Sequence, residues 1–192
     1  MKQYKSIGFH FLLIVLIAIF FYSFKTRGLT ENPTKWESSI LKLNDSTYII
    51  KMDVKISNHW HVYSHYIKDG GPVPTSILYD ELINANVKDS IVELGETIEV
   101  FDPNFDMKLK WYDHQVSFMQ ALHINGEGKI KGSLEFMACD DKQCLPPDYI
   151  NFEFLLPQDA TSIDEALHTQ YLEKKNSAKT SQPKKKKKRK RN

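Results

Sequence analysis

The sequence is poor in cysteine: its 192 residues include two, Cys139 and Cys144. Two cysteines are too few for a disulfide-rich mini-protein or a four-cysteine zinc site. The phosphate-binding GxxxxGK[ST], dinucleotide-binding GxGxxG and zinc-protease HExxH patterns are all absent. Wholesale disorder is excluded too, because hydrophobic residues make up 41% of the chain and aromatic residues 12%. The length suits one domain with appendages.

Acidic residues are missing from the first 27 positions, and the basic residues are concentrated at the two ends. Four of the 26 Lys and Arg residues lie in residues 1–27, and eight form the run Lys184–Arg191. Residues 28–183 hold the other 14 together with all 24 acids, so this part carries a net charge of −10. An acidic body argues against nucleic acid as a partner of the domain.

The N-terminal segment 1–27 is predicted to be a signal peptide or a membrane anchor. Lys2 and Lys5 precede the apolar run Ile7–Phe24, whose 18 residues would rise about 27 Å as a helix. Both alternatives export the body, most simply to a periplasm or cell envelope, where disulfides persist. An anchor would hold it at the inner membrane. Residues 28–35 are expected to form a linker.

Residues 36–156 show a hydrophobic period of two, which is typical of strands with one buried face. Turn signals, among them the glycine-rich stretch 125–128, separate the predicted strands. Many short strands without intervening helices predict an all-β, antiparallel β-sandwich. The predicted strands are Ser38–Leu43, Tyr48–Ile56, Trp60–Tyr63, Thr75–Tyr79, Ile91–Leu94, Thr97–Phe101, Met107–Tyr112, Val116–Ile124, Ile130–Phe136 and Ile150–Leu156.

The pattern changes after Leu156. A capping box at Ser162 and Glu165 predicts a short helix within residues 157–175, with Ile163, Ala166, Leu167 and Leu172 on one face. The polar residues 176–192 are expected to be disordered. Their basic run is either a solvated tail or a contact for anionic membrane lipid.

The cysteine pair sits between two predicted strands, with four residues between Cys139 and Cys144. A disulfide closing so small a ring adds about 2 kcal/mol in the chain-entropy model. That small gain favours a redox role in an exposed loop, although a structural disulfide remains open. Asp140 and Asp141 disfavour a thiolate, which indicates exchange started by a partner's thiolate or activation within a complex.

Two motifs resemble one known family. The segment from Ala138 to Pro147, ACDDKQCLPP, is similar to the active-site loop of the N-terminal periplasmic domain of the thiol:disulfide interchange protein DsbD. The earlier stretch Trp60–Ser64, with the GPVPT that follows at 71–75, resembles that family's early signature. The resemblance covers residues 36–156 and implies an immunoglobulin-like fold. It also implies a redox pair, Cys139 and Cys144, that relays electrons from a membrane-bound thiol–disulfide donor to periplasmic thioredoxin-fold oxidoreductases.

The resemblance further implies a cap over the sulfurs. Asp102-Pro103-Asn104-Phe105 is the best match to the family's cap loop, with Phe105 as the shielding aromatic residue. The other interpretation of Phe105 is an ordinary core residue. Some members place five residues between the cysteines rather than four. The expected exchange needs no cofactor, and we predict no metal site, although His59, His61 and His65 superficially resemble a metal cluster.

We therefore expect an exported thiol–disulfide oxidoreductase of the protein-disulfide reductase type. The alternative is a non-enzymatic envelope scaffold or binding sandwich with a static disulfide.

Overall fold

The computed structural model describes residues 32–102 and 105–181. The predicted membrane segment Ile7–Phe24 and the basic run Lys184–Arg191 lie outside the described residues, as does most of the expected linker. Among the residues described, no helix has the length and hydropathy that a membrane crossing requires.

The described chain forms eleven strands and one helix, α1, near its C-terminal end. The elements are β1 (Thr34–Lys42), β2 (Thr47–Ile56), β3 (His61–Tyr63), β4 (Ser76–Val87), β5 (Val92–Leu94), β6 (Ile98–Asp102), β7 (Met107–Tyr112), β8 (Gln115–Phe136), β9 (Ala138–Cys139), β10 (Asp148–Leu156), β11 (Thr161–Ser162) and α1 (Glu165–Ser181).

The strands form two sheets, which confirms the immunoglobulin-like β-sandwich. The larger sheet has the order β10-β8-β2-β1-β11, with β4 and β5 also paired to β8, and the smaller sheet has the order β6-β7-β3-β9. The pairing is antiparallel except between β1 and β11, which run parallel at Leu41↔Thr161 and Lys42↔Ser162. The sandwich was expected to be antiparallel throughout. It departs from this at β11, because the chain returns beside β1 in the parallel direction just before the helix.

The main core lies between the sheets. The alternate side chains that the period of two predicts to be buried point into it. Alternate residues of β2, from Tyr48 to Ile56, are buried there together with Ile130, Leu134 and Phe136 of β8. The prediction of a wet opposite face is wrong at Ile49, which is fully buried in a second cluster. That cluster forms because α1 covers the outer face of the larger sheet.

The helix differs from its prediction in three ways. It runs to Ser181, so residues 176–181 are helical rather than disordered. Its N-terminal cap is Asp164, whose Oδ1 accepts the backbone N–H of Leu167 at 2.9 Å, because Ser162 belongs to β11. Tyr171, and not Leu172, is the buried residue near the middle of the helix: Leu172 is exposed, and Ile163, Leu167 and Tyr171 recur every four residues on the packed face.

The two predicted strands Val116–Ile124 and Ile130–Phe136 form a single strand, since β8 runs from Gln115 to Phe136 through the glycine-rich stretch 125–128. This stretch is a bulge opposite β4, where the register shifts between Ile83 and Ala85. The Asn84 side-chain amide donates to the Glu127 carbonyl at 2.8 Å and holds the bulge. At this point β8 changes its partner from β2 to β10.

The other boundaries shift by a few residues. The largest difference is in β4, which was predicted as Thr75–Tyr79 and extends to Val87 along β8. The first strand begins at Thr34, inside the expected linker.

Candidate functional site

Cys139 reaches its place because the chain changes sheets. The long strand β8 ends at Phe136 in the larger sheet, and two residues later β9 pairs with β3 in the smaller sheet. In that pairing Val62 lies opposite Ala138, with both side chains in the main core. Since neighbouring side chains alternate, Cys139 and its partner His61 project from the other face of the smaller sheet.

Cys139 and Cys144 form a disulfide, with an S–S distance of 2.04 Å and a Cα–Cα distance of 4.0 Å. Backbone hydrogen bonds close the small ring around it: the Asp140 N–H donates to the Gln143 carbonyl at 2.8 Å, and the Leu145 N–H donates to the Ala138 carbonyl at 2.9 Å. The cysteines therefore sit at a tight turn, as their spacing predicted.

Asp140 organises this turn with its side chain. Its Oδ1 accepts the backbone N–H groups of Lys142 at 2.7 Å and Gln143 at 2.8 Å. The bond from the Lys142 N–H lowers the pKa of the Asp140 carboxyl, with the Gln143 N–H adding to it. The carboxylate thus shapes the turn that carries the disulfide.

The two halves of the disulfide differ sharply in exposure. Cys139 is 1% exposed and lies in a cluster with buried Tyr63 and Leu109. Cys144 lies on the outer arm of the turn and is exposed, as are its neighbours from Asp141 to Gln143. A thiolate arriving from solvent therefore meets the Cys144 side of the bond.

Phe105 lies over the cluster that contains Cys139. It is partly buried and packs there, together with Ile67, Met107, Trp111 and Met137. The structure thus puts Phe105 against the cluster that contains Cys139 rather than in the main core between the sheets. Pro103 and Asn104 of the expected cap loop lie outside the described residues.

His61 is the residue paired in register with Cys139 across β3 and β9. Its ring stacks on Trp111 with centroids 4.4 Å apart, and its Nε2 lies 3.2 Å from the Tyr63 hydroxyl. Burial lowers the pKa of the His61 imidazole, against the opposing effect of nearby carboxylates, first among them Asp141. The imidazole is therefore neutral at pH 7. Sequence reasoning did not identify His61 as the residue opposite Cys139. The period of two in strand Trp60–Tyr63 does put His61 and Tyr63 on one face.

A buried carboxylate anchors the end of β3, and sequence reasoning missed it as well. Glu93, 5% exposed, accepts hydrogen bonds from the Ser64 hydroxyl at 2.8 and 2.9 Å, the His65 N–H at 2.7 Å and the Tyr112 hydroxyl at 2.7 Å. These partners tie β5, β7 and the end of β3 together, which fixes the strand that faces Cys139. A single Glu within an apolar strand offers no sequence signal for such a network.

The histidines do not come together. His59 is exposed in the turn before β3 with a φ of 68°, so it does not share the strand face of His61. The Nδ1 of His65 lies 3.0 Å from the Thr75 carbonyl oxygen. The described residues contain no group of three or more His, Cys, Asp or Glu side chains arranged to hold a metal ion.

Residues 31–156 match the family model described as "Thiol:disulfide interchange protein DsbD, N-terminal". Comparison with curated proteins gives no significant match.

The solved structures that are similar to this chain include two N-terminal domains. The N-terminal periplasmic domain of ScsB from Proteus mirabilis aligns with a TM-score of 0.51 and 16% identity, over 81% of this chain and 57% of that one, so this chain spans less than two thirds of it. The reduced N-terminal domain of DsbD from Neisseria meningitidis aligns with a TM-score of 0.37 and 14% identity, over 62% of this chain and 83% of that one. The similarity to the ScsB domain is a similarity of fold.

Proposed function

Because this chain belongs to the family of the N-terminal domain of the thiol:disulfide interchange protein DsbD, we propose that it exchanges electrons with other proteins through the Cys139–Cys144 disulfide. The domain would accept electrons from a membrane-bound thiol–disulfide donor and pass them to thioredoxin-fold oxidoreductases. This is protein-disulfide reductase chemistry and needs no cofactor.

The unequal exposure of the two cysteines is the observation that carries the proposal. A donor thiolate attacks the exposed Cys144 sulfur, the S–S bond breaks, and Cys139 leaves with the electron pair as a thiolate that takes up a proton. The second donor thiol then resolves the mixed disulfide, which leaves the donor oxidised and both cysteines reduced. Passing the electrons on runs the same steps in reverse, with Cys139 as the resolving thiol.

The proposal gives Phe105 the role of a cap. Its ring packs on the cluster around Cys139 and reduces access by small oxidants and thiols. A protein partner that binds this face would displace the ring and bring its own thiolate to Cys144. Such a gate restricts exchange to partners that fit the surface.

The proposal places the domain in the periplasm. A disulfide persists in that compartment, and the predicted export segment Ile7–Phe24 would bring the domain there, with an uncleaved segment holding it at the inner membrane.

Single-cysteine variants test the exchange and its direction of attack. The probe is a thioredoxin-fold protein with one reactive cysteine, activated as a mixed disulfide with 5-thio-2-nitrobenzoate. The Cys139→Ser chain, which keeps exposed Cys144, is expected to form the protein–protein disulfide roughly tenfold faster than the Cys144→Ser chain.

Mass spectrometry of the products identifies the adducts, and the double Cys139→Ser, Cys144→Ser chain is the control. Failure of both single variants to react would favour a static disulfide in a scaffold sandwich. Equal rates would contradict Cys144 as the attacked sulfur.

A further inference from the structure

We propose that His61 is the proton acceptor for Cys139 when this cysteine resolves a mixed disulfide on Cys144. The inference rests on the proposed function and adds to it a residue outside the disulfide loop. It would make the resolving step of the exchange depend on pH in the range where an imidazole titrates.

The sheet register puts His61 beside Cys139. The two residues are directly paired between β3 and β9, so their Cβ atoms are about 5 Å apart on the same face. That face also carries Tyr63, which lies in the buried cluster with Cys139. The imidazole thus extends from the residue directly opposite Cys139, on the same face of the sheet.

Two contacts hold the His61 ring in place. Trp111 of β7 stacks against it with centroids 4.4 Å apart, and the Tyr63 hydroxyl lies 3.2 Å from Nε2. Burial raises the pKa of the Tyr63 phenol to about 12, so this hydroxyl stays protonated. In the tautomer whose Nε2–H donates to the Tyr63 oxygen, Nδ1 keeps the lone pair that can accept a proton.

The charges around His61 set its protonation state. Burial is the largest effect and lowers the pKa of the imidazole below 6.5, whereas surrounding carboxylates raise it. These carboxylates come from the disulfide turn, from β6 and from the residue after β7: Asp141, Asp102, Asp140 and Asp113. The net lowering leaves a neutral base at pH 7, as a proton acceptor must be.

The chemistry of Cys139 requires such a base. In the reduced domain, its apolar surroundings disfavour a thiolate, yet only a thiolate attacks a disulfide. The proton of the Cys139 thiol passes to the imidazole, giving an imidazolium and a thiolate. The thiolate attacks the Cys144 sulfur of the mixed disulfide, the Cys139–Cys144 bond forms, and the partner leaves as a thiolate with the electron pair.

The test separates the two steps with 5,5′-dithiobis(2-nitrobenzoate) on the reduced full-length chain in detergent. The first release of thionitrobenzoate reports formation of the mixed disulfide on Cys144. The second release reports its resolution by Cys139. Both rates are measured between pH 5 and pH 9 for the unmodified chain, His61→Phe and His61→Gln, with His59→Gln as the matched control, since His59 is exposed in the adjacent turn.

For the unmodified chain and His59→Gln, the second rate is expected to rise with pH as His61 loses its proton and to level off above an inflection below 6.5. In both His61 variants the rise should move toward the ordinary thiol range near ~8.5, with a loss of at least roughly tenfold at pH 7. The first rate should change less than about twofold, which also reports an intact fold.

Phenylalanine keeps a ring for Trp111 and glutamine keeps a hydrogen-bonding group for Tyr63, so a packing role alone would not move both profiles alike. An unchanged second-rate profile in either folded variant would overturn the role of His61. Absence of the second release from the unmodified chain would instead refute the proposed function.

Discussion

The two sulfurs of the disulfide differ because Cys139 belongs to a strand, whereas Cys144 belongs to the outer arm of a turn. Strand pairing with β3 buries Cys139, and the turn held by Asp140 leaves Cys144 in solvent. The sequence spacing predicted a tight loop with two cysteines. It could not predict which sulfur is exposed, because that depends on long-range pairing between β3 and β9.

The same limit applies to the residues around the sulfurs. The role of Phe105 as a cap is a prediction from the family resemblance, which includes a cap loop. His61 and Glu93 carried no comparable signal, because their importance depends on which strands become neighbours.

Removing the cap ring should open the buried Cys139 side of the disulfide to solvent. We expect Phe105→Ala to raise the rate of reduction by dithiothreitol by roughly tenfold, because access to the sulfurs limits exchange. The rate is measured by quenching with an alkylating reagent and counting free thiols by mass spectrometry.

Phe101→Ala is the matched control, since Phe101 lies on the same hairpin but is 58% exposed. Equal rates for the Phe105→Ala variant, the control and the unmodified chain would show that Phe105 does not shield the disulfide.

Among the elements, β8 shows what a hydrophobic pattern can predict and what it cannot. Its alternation after the glycine-rich stretch 125–128 correctly predicted the buried side chains of Ile130, Leu134 and Phe136. The stretch itself was wrongly predicted as a turn, since Gly126, with a φ of 77°, and its neighbours serve equally well in a bulge. The deciding contact is the Asn84 side chain on β4, which no local pattern contains.

The helix α1 was predicted too short because its sequence is polar and its fully buried side chain among the described ones is Tyr171. This ring is fully buried against β1, β2, β5 and β8, and Lys175 lies over it at 5.5 Å. Lys175 also pairs with Asp89 at 2.6 Å. The helix is therefore an integral third layer on the larger sheet.

Truncation of the Tyr171 side chain should weaken the packing of α1 on the larger sheet. We expect Tyr171→Ala to lower the free energy of unfolding by about 3 kcal/mol, through lost burial and the cavity left behind. Urea denaturation followed by tryptophan fluorescence measures the change.

Leu172→Ala is the control on the same turn, since Leu172 is 39% exposed and should cost less than about 1 kcal/mol. A Tyr171→Ala effect no larger than that of the control would show that α1 contributes little to the fold.

At the scale of the whole molecule, the disulfide is separate from the main stabilising core. The core lies between the two sheets, whereas Cys139 lies in a smaller cluster on the far face of the smaller sheet and Cys144 is exposed. The small ring that the disulfide closes adds about 2 kcal/mol in the chain-entropy model. We therefore expect the sandwich to remain folded in both oxidation states, as the proposed electron exchange requires.

The reduction potential of Cys139–Cys144 tests the redox account most directly. The full-length chain is equilibrated in dithiothreitol and glutathione buffers of known potential, and the reduced fraction is determined by alkylation and mass spectrometry. The account predicts reversible equilibration with a midpoint above about −300 mV, the region of disulfides that exchange. A midpoint well below about −300 mV, the region of structural disulfides, would contradict it.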